Sequence, residues 1–178
     1  IFSKSKLLNN NYRFFESIDG SQVKLDESHN DILTESAIRN LRDPETRQYG
    51  VDFTPGSLGI LLTYVQLFSE IIKSNETSLI FEDDIIIYDN FFERYNELIN
   101  NVPKDWDVIS IFVDPNQYDR FDESQKINYY VSKGYQDWST LGYVISKSGA
   151  KKICHYIKKN GISQPVDWFL FRNGHAGI

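Results

Sequence analysis

The sequence predicts an α/β fold, one domain over residues 1–178 with a mixed, mainly parallel sheet flanked by helices. Apolar strand-like runs, "TSLIF", "WDVISIFV" and "STLGYVIS", alternate with segments of helical period, the order of a sheet whose connections are helices. These runs are almost continuously hydrophobic, as in strands covered on both faces. The chain has 178 residues, 40% of them hydrophobic and 15% aromatic, enough for one well-packed core.

Residues 1–20 begin as polar, helix-compatible chain and end in "YRFFESIDG". That aromatic run, closed by an Asp-Gly turn signal, predicts a strand ending near Gly20. From Ser21 to Gln48 the chain is charged, weakly periodic and broken by Pro44, which predicts surface helix fragments and loop in a mobile insertion, with a functional lid as the alternative. In "TPGSLGILLTYVQLFSEIIKS", Thr54 is the expected N-cap and Pro55 the first helical residue. Apolar positions Leu58, Leu61, Leu62, Val65, Phe68, Ile71 and Ile72 then mark a buried helix ending by Ser74.

"TSLIFEDDIIIY" reads as a buried strand, three acids and a second short extended run. Residues 90–101 have helical period with Asn90 as N-cap, and Pro103 stops that helix before the strand at Trp106–Val113. Polar chain from Asp114 to Asp137 holds a short edge-strand signal, "KINYYVS". "STLGYVIS" then passes at Ser146 into an amphipathic helix, "KSGAKKICHYIKKN", which Gly161 ends.

The net charge of −6 excludes a general phosphate-backbone binder, so nucleic acid is not an expected partner. A lone cysteine, Cys154, permits no internal disulfide and leaves the compartment open. No uninterrupted apolar run reaches the roughly 18–20 residues of a bilayer span, and no transmembrane segment is predicted. Asn75-Glu76-Thr77 fits a glycosylation acceptor, a tripeptide common in unmodified chains.

The chemistry concentrates at Glu82, Asp83 and Asp84, which close an apolar run. Adjacent like charges resist burial, so such a cluster is either fully solvated or neutralised by a cation. Hard cations such as Mn²⁺ and Mg²⁺ prefer carboxylate oxygens and share them with a diphosphate. A strand end at a sheet's carboxyl edge is where α/β folds place ligands.

The block "FTPGSLGILLTYVQLFSEIIKSNETSLIFEDDIIIYDNFF" resembles the centre of glycosyltransferase family 25, where a "TPGEIGC-LSH" helix leads into "LEDD". "FFESIDG", "PKDWDVISIF", "WSTLGYVISKSGAKKI" and "PVDWF" resemble further family blocks in the same order. The resemblance runs from about Tyr12 to Phe171. It implies a GT-A-type, Rossmann-like fold and an inverting hexosyltransferase that is metal-dependent. The donor would be a UDP-sugar, typically UDP-galactose, and the acceptor a hydroxyl of a glycan or hydroxylated, collagen-like protein. Lipopolysaccharide biosynthesis and collagen glycosylation are the two settings of the family.

Carried over residue by residue, the resemblance implies Asp84 as a direct metal ligand. Glu82 or Asp83 would contact the ribose or metal-bound water, with Glu82 also a candidate ligand. Asp167 in "PVDWF" is the candidate base for the acceptor proton, with a helix N-cap as its structural alternative. His175 is a candidate third metal ligand or an exposed tail residue. Tyr135, Trp138 and Tyr143 are candidates to stack on a sugar or uracil, or core residues. Lys147, Lys151 and Lys152 read as a solvated helix face.

The helix departs from the family pattern at Ser57, Ile60, Thr63 and Tyr64, the last two standing for Ser-His. Tyr64 keeps a hydrogen-bond donor toward the donor nucleotide but cannot shuttle a proton near neutral pH. The family's opening "VINL" strand and Arg loop have no counterpart, so the chain is expected to be trimmed at its N-terminus, with its C-terminus open to the same. The alternative function is a catalytically degenerate domain that binds carbohydrate or serves assembly.

Overall fold

The computed structural model describes residues 12–48, 52–112, 124, 126–128, 131 and 139–172. In chain order its elements are α1 (Glu35–Arg42), α2 (Pro55–Ser74), β1 (Ser78–Phe81), α3 (Phe91–Asn101), β2 (Val108–Ser110), β3 (Gly142–Ile145) and α4 (Lys147–Asn160). Short 3₁₀ turns occupy Glu27–Asp31 and Pro44–Thr46, and a π turn occupies Trp168–Arg172.

The helix signals act as the sequence predicts. Thr54 Oγ1 accepts from the Ser57 amide at 3.1 Å and Pro55 opens α2, so one orphan donor is satisfied and one is absent. Asn75 closes α2 with a left-handed φ of 66°. Ser146 caps α4 by accepting from the Gly149 amide at 3.0 Å, and Gly161, at φ 69°, ends it. Asn90 does precede α3, but it makes no side-chain capping bond.

The sheet has the order β1-β3-β2, and both pairings are antiparallel: Phe81 faces Gly142, Ser78 faces Ile145, and Val108 also faces Ile145. This corrects the expected mainly parallel, Rossmann-like sheet. β1 and β2 run the same way, but β3 lies between them in the opposite direction. A continuous apolar run reports a strand covered on both faces; it reads alike in either direction. All four β3 residues are buried, as that reading requires.

Strand alternation divides the sheet's faces. Tyr143 and Ile145 join the main core with Leu58, Leu61, Phe68 and Ile71 of α2 and Ile153 and Ile157 of α4. Each such side chain contributes roughly 1.5–3 kcal/mol on burial. The opposite face meets α3, whose Phe91 lies edge-on to Phe81 with ring centroids 5.5 Å apart.

Other elements differ from expectation. Residues 12–19 form no strand; they run as irregular chain against α2, where the Ile18 amide donates to Thr63 Oγ1 at 2.9 Å. The approach is close: a Cβ on Gly59 would stand 2.3 Å from the Ile18 carbonyl oxygen. Residues 21–48 include the expected helix fragments, but Leu33 and Ala37 are core residues and Leu33 bridges to Ile162. The segment is therefore anchored. Ile85–Tyr88 follows the acids without strand pairing. Of "KINYYVS", Tyr129, Tyr130 and Ser132 lie outside the described residues, as do Tyr135, Trp138 and His175.

One expectation about length is corrected. α2 spans 20 residues with a mean hydropathy of 1.3, long and apolar enough by length and composition to cross a membrane. Here its inward face, through Leu58, Leu61, Tyr64, Phe68 and Ile71, is packed in the protein core.

Candidate functional site

The acidic motif begins one residue beyond β1. The Glu82 amide donates to the Leu141 carbonyl at 3.1 Å, extending the β1–β3 ladder by a residue. Two-residue alternation then directs Glu82 to the same side as Ile80, toward α2, and the chain turns at Asp83 and Asp84. The three acids thus have two fates.

Glu82 is half-buried, and its Oε1 accepts a hydrogen bond from the Thr140 hydroxyl. The Tyr64 hydroxyl lies 3.5 Å from the same oxygen, the long end of hydrogen-bonding range. Tyr64 itself is only 7% exposed, with its ring 6.0 Å from that of Tyr143 and 5.6 Å from that of Phe68. Burial pushes the Tyr64 hydroxyl up to about 12, a rise that the Glu82 charge reinforces and the Thr140 hydroxyl opposes. Tyr64 is therefore a neutral donor under ordinary conditions. The fully buried Tyr143 hydroxyl is raised well above its usual value, again chiefly by burial, and it interacts with Tyr64.

Asp83 and Asp84 are exposed at the turn. Among the described residues, no Lys, Arg or His forms an ion pair with either of them or with Glu82. Their donor chemistry fits a hard divalent cation, which accepts carboxylate oxygens and retains water or diphosphate oxygens in its other positions. No group of three or more His, Cys, Asp or Glu side chains converges among the described residues. Two carboxylates are what this turn presents.

Asp167 lies in the last turn, between buried Val166 and Phe169. Burial raises its carboxyl above the usual carboxylate range, partly offset by its own amide and that of Trp168. It shares no hydrogen bond with the acidic turn among the described residues. It occupies the helical turn itself, so the N-cap alternative does not describe it.

Two further residues correct the sequence reading. Lys152 is not merely solvated: it pairs with Asp107, which is 8% exposed and also accepts from Ser148 Oγ at 2.9 Å. Lys147 donates to Asn75 Oδ1 at 2.7 Å. Tyr143 is a core residue. Thr140 and Asp107 were not singled out from sequence, although both fall within the blocks "WSTLGYVISKSGAKKI" and "PKDWDVISIF". Shallow surface clefts beside Lys159 and beside Arg42 contain none of the predicted site residues.

An α/β chain that presents carboxylates just beyond the end of a half-buried strand is the class that fold and site define. The profile of Glycosyltransferase family 25 (LPS biosynthesis protein) matches residues 1–170, and the chain belongs to that family. It is 32% identical over 165 residues to Procollagen galactosyltransferase 1 of Danio rerio, covering 89% of this chain and 26% of that protein. It is 29% identical over 163 residues to Procollagen galactosyltransferase 2 of Homo sapiens, covering 89% and 25%. The human protein named Inactive glycosyltransferase 25 family member 3 is 28% identical over 134 residues, covering 68% and 22%. The chain thus spans about a quarter of the length of the curated relatives it matches. No solved structure matches.

Proposed function

We propose that this domain is the donor-binding part of a metal-dependent, inverting glycosyltransferase. It moves galactose or a related hexose from a UDP-sugar to a hydroxyl of a glycan or hydroxylated, collagen-like protein. The observation that carries the reading is the pair of exposed carboxylates, Asp83 and Asp84, which follow a half-buried strand and have no ion-pair partner among the described residues, in a chain of this family.

Asp84 is assigned as the direct ligand of Mn²⁺ or Mg²⁺, with Asp83 beside it; a place for His175 as a further ligand belongs to the same proposal. When bound, the divalent cation offsets the charge that gathers on the departing diphosphate. Asp167 takes the proton from the acceptor hydroxyl. Its raised carboxyl moves toward the range in which a base both accepts and releases a proton. Tyr64, buried in the core, supports the site from behind; the nucleotide contact expected from sequence is reassigned to that role.

The test is titration of UDP into the protein with and without Mn²⁺. Binding that requires the cation and is lost in Asp84→Ala supports the assignment; cation-independent binding, or none, removes it. A second reading has its own support, since one similar human protein is named inactive and Tyr64 replaces the histidine of the family motif. In that reading the domain binds carbohydrate or serves assembly. Slow UDP-galactose hydrolysis without acceptor separates the two, because an active transferase shows it and a binding domain does not. Asp167→Asn is expected to retain UDP binding and lose transfer.

A further inference from the structure

We infer that Glu82 is a positioning residue and not a cation ligand, held inward by a cluster of hydroxyls so that Asp83 and Asp84 alone face outward. The inference rests on the proposed cation–diphosphate reading of the turn and refines it.

Three contacts fix Glu82. Its amide is tied to Leu141 at 3.1 Å, Oε1 receives the Thr140 hydroxyl, and the same oxygen faces the Tyr64 hydroxyl at 3.5 Å. Thr140 and Leu141 are consecutive, so backbone and side chain of Glu82 are both pinned to the residues that lead into β3. Tyr64 reaches the carboxylate from α2, where its ring is wedged between Phe68 and Tyr143.

The direction of Glu82 follows from the strand. A residue in register with Ile80 points to the core face, and the turn that follows sends Asp83 and Asp84 to solvent. Hydroxyl donors suit this task, because a half-buried carboxylate needs partners and neutral ones leave the site's negative charge uncancelled. A ligand carboxylate would instead have its oxygens turned toward the cation. Partners bonded directly to a metal ligand typically affect metal affinity about tenfold to a hundredfold; Thr140 acts one step further out, through Glu82 and the backbone that joins it to Asp83, so the low end of that range is its upper bound.

The test compares Mn²⁺-dependent UDP binding in the full chain across four variants, with thermal melting measured alongside. Thr140→Val is expected to weaken binding severalfold, up to about tenfold, with the cation requirement intact, and Thr140→Ser to restore it. Glu82→Gln, whose amide oxygen still accepts from Thr140, is expected to lose no more than Thr140→Val. Asp84→Asn is expected to abolish cation-dependent binding. If Glu82→Gln abolishes it as completely as Asp84→Asn, Glu82 is a ligand and the inference is wrong. If Thr140→Val and Thr140→Ser weaken binding equally, or only in step with melting temperature, the hydroxyl does not position the acid. Retained cation dependence in Asp84→Asn would instead overturn the underlying assignment of the turn, a separate failure.

Discussion

Two inward-facing acids stand at opposite ends of the central strand β3, and the fold treats them differently. Asp107, beside the exit of β3, accepts the Ser148 hydroxyl, pairs with Lys152 and has its carbonyl bonded to the Ser146 amide at 2.9 Å. Glu82, beside the entrance, has the neutral hydroxyls of Thr140 and Tyr64 as its side-chain partners among the described residues, and two more acids follow it. One end carries its own counter-ion; the other leaves negative charge uncompensated by any ion pair among the described residues. A buried carboxylate is ordinarily paired and hydrogen-bonded, as Asp107 is. The pairing at the exit of β3 is structural, and the entrance is where the proposed site lies.

The largest expected effect comes from breaking the structural end. A Cβ on Gly149 would lie 2.4 Å from the Asp107 carbonyl oxygen, and that neighbour is backbone that cannot swing aside. Gly149→Val is expected to lift α4 from the β2 entrance, costing about 3 kcal/mol and lowering the melting temperature by roughly 10 °C. Denaturant or thermal unfolding measures this directly. A loss below about 1 kcal/mol would mean that α4 does not depend on that approach.

The two acids themselves give the next contrast. Asp107→Ala removes the partners of Ser148 and Lys152, but Lys152 is half exposed and can return to water. The expected cost is therefore only about 1–2 kcal/mol, with the Mn²⁺ requirement of UDP binding unchanged. Glu82→Ala leaves Thr140 and Tyr64 able to bond to one another, so its cost should be less than about 1 kcal/mol, while cation-dependent UDP binding weakens. Paired melting curves and UDP titrations check both. A result in which Asp107→Ala impairs cation-dependent binding as much as Glu82→Ala would erase the division between the two ends.

This division was only partly legible in the sequence. Local signals gave the helices well: Thr54-Pro55, Ser146 and Gly161 act through neighbours three or four residues away. β1, β2 and β3 fall inside the predicted apolar runs. The direction of β3 was not legible, because burial on both faces leaves the same pattern whichever way a strand runs. The predicted strand at residues 12–19 failed for a related reason. Aromatic content signals half-buried extended chain, and here the extended chain packs against α2 without a ladder. At the site, the acid cluster stood out from its charge alone. Its supports did not, since Thr140 and Tyr64 lie 58 and 18 residues from Glu82 and meet it only after β1 and β3 have paired.

Asp167 offers the smallest effect and a third kind of acid, with neither a counter-ion nor a hydroxyl partner among the described residues. Burial raises its carboxyl in the folded protein, and the amides of Trp168 and of Asp167 itself oppose that rise. The folded state therefore holds the Asp167 proton to a higher pH than the unfolded chain does. Ionisation above that raised value disfavours folding; as pH falls from there to the usual carboxylate range, the penalty disappears. Asp167→Asn is expected to melt slightly higher than the parent at neutral pH, with the difference shrinking across that acid window. A melting profile against pH measures it, and the partial exposure of Asp167 keeps the effect small. A variant that melts lower at neutral pH would show that the two amides hold the carboxylate more strongly than burial disfavours it. Asp167 would then resemble Asp107, an acid whose negative form the fold requires, and its case as a proton-accepting base would weaken.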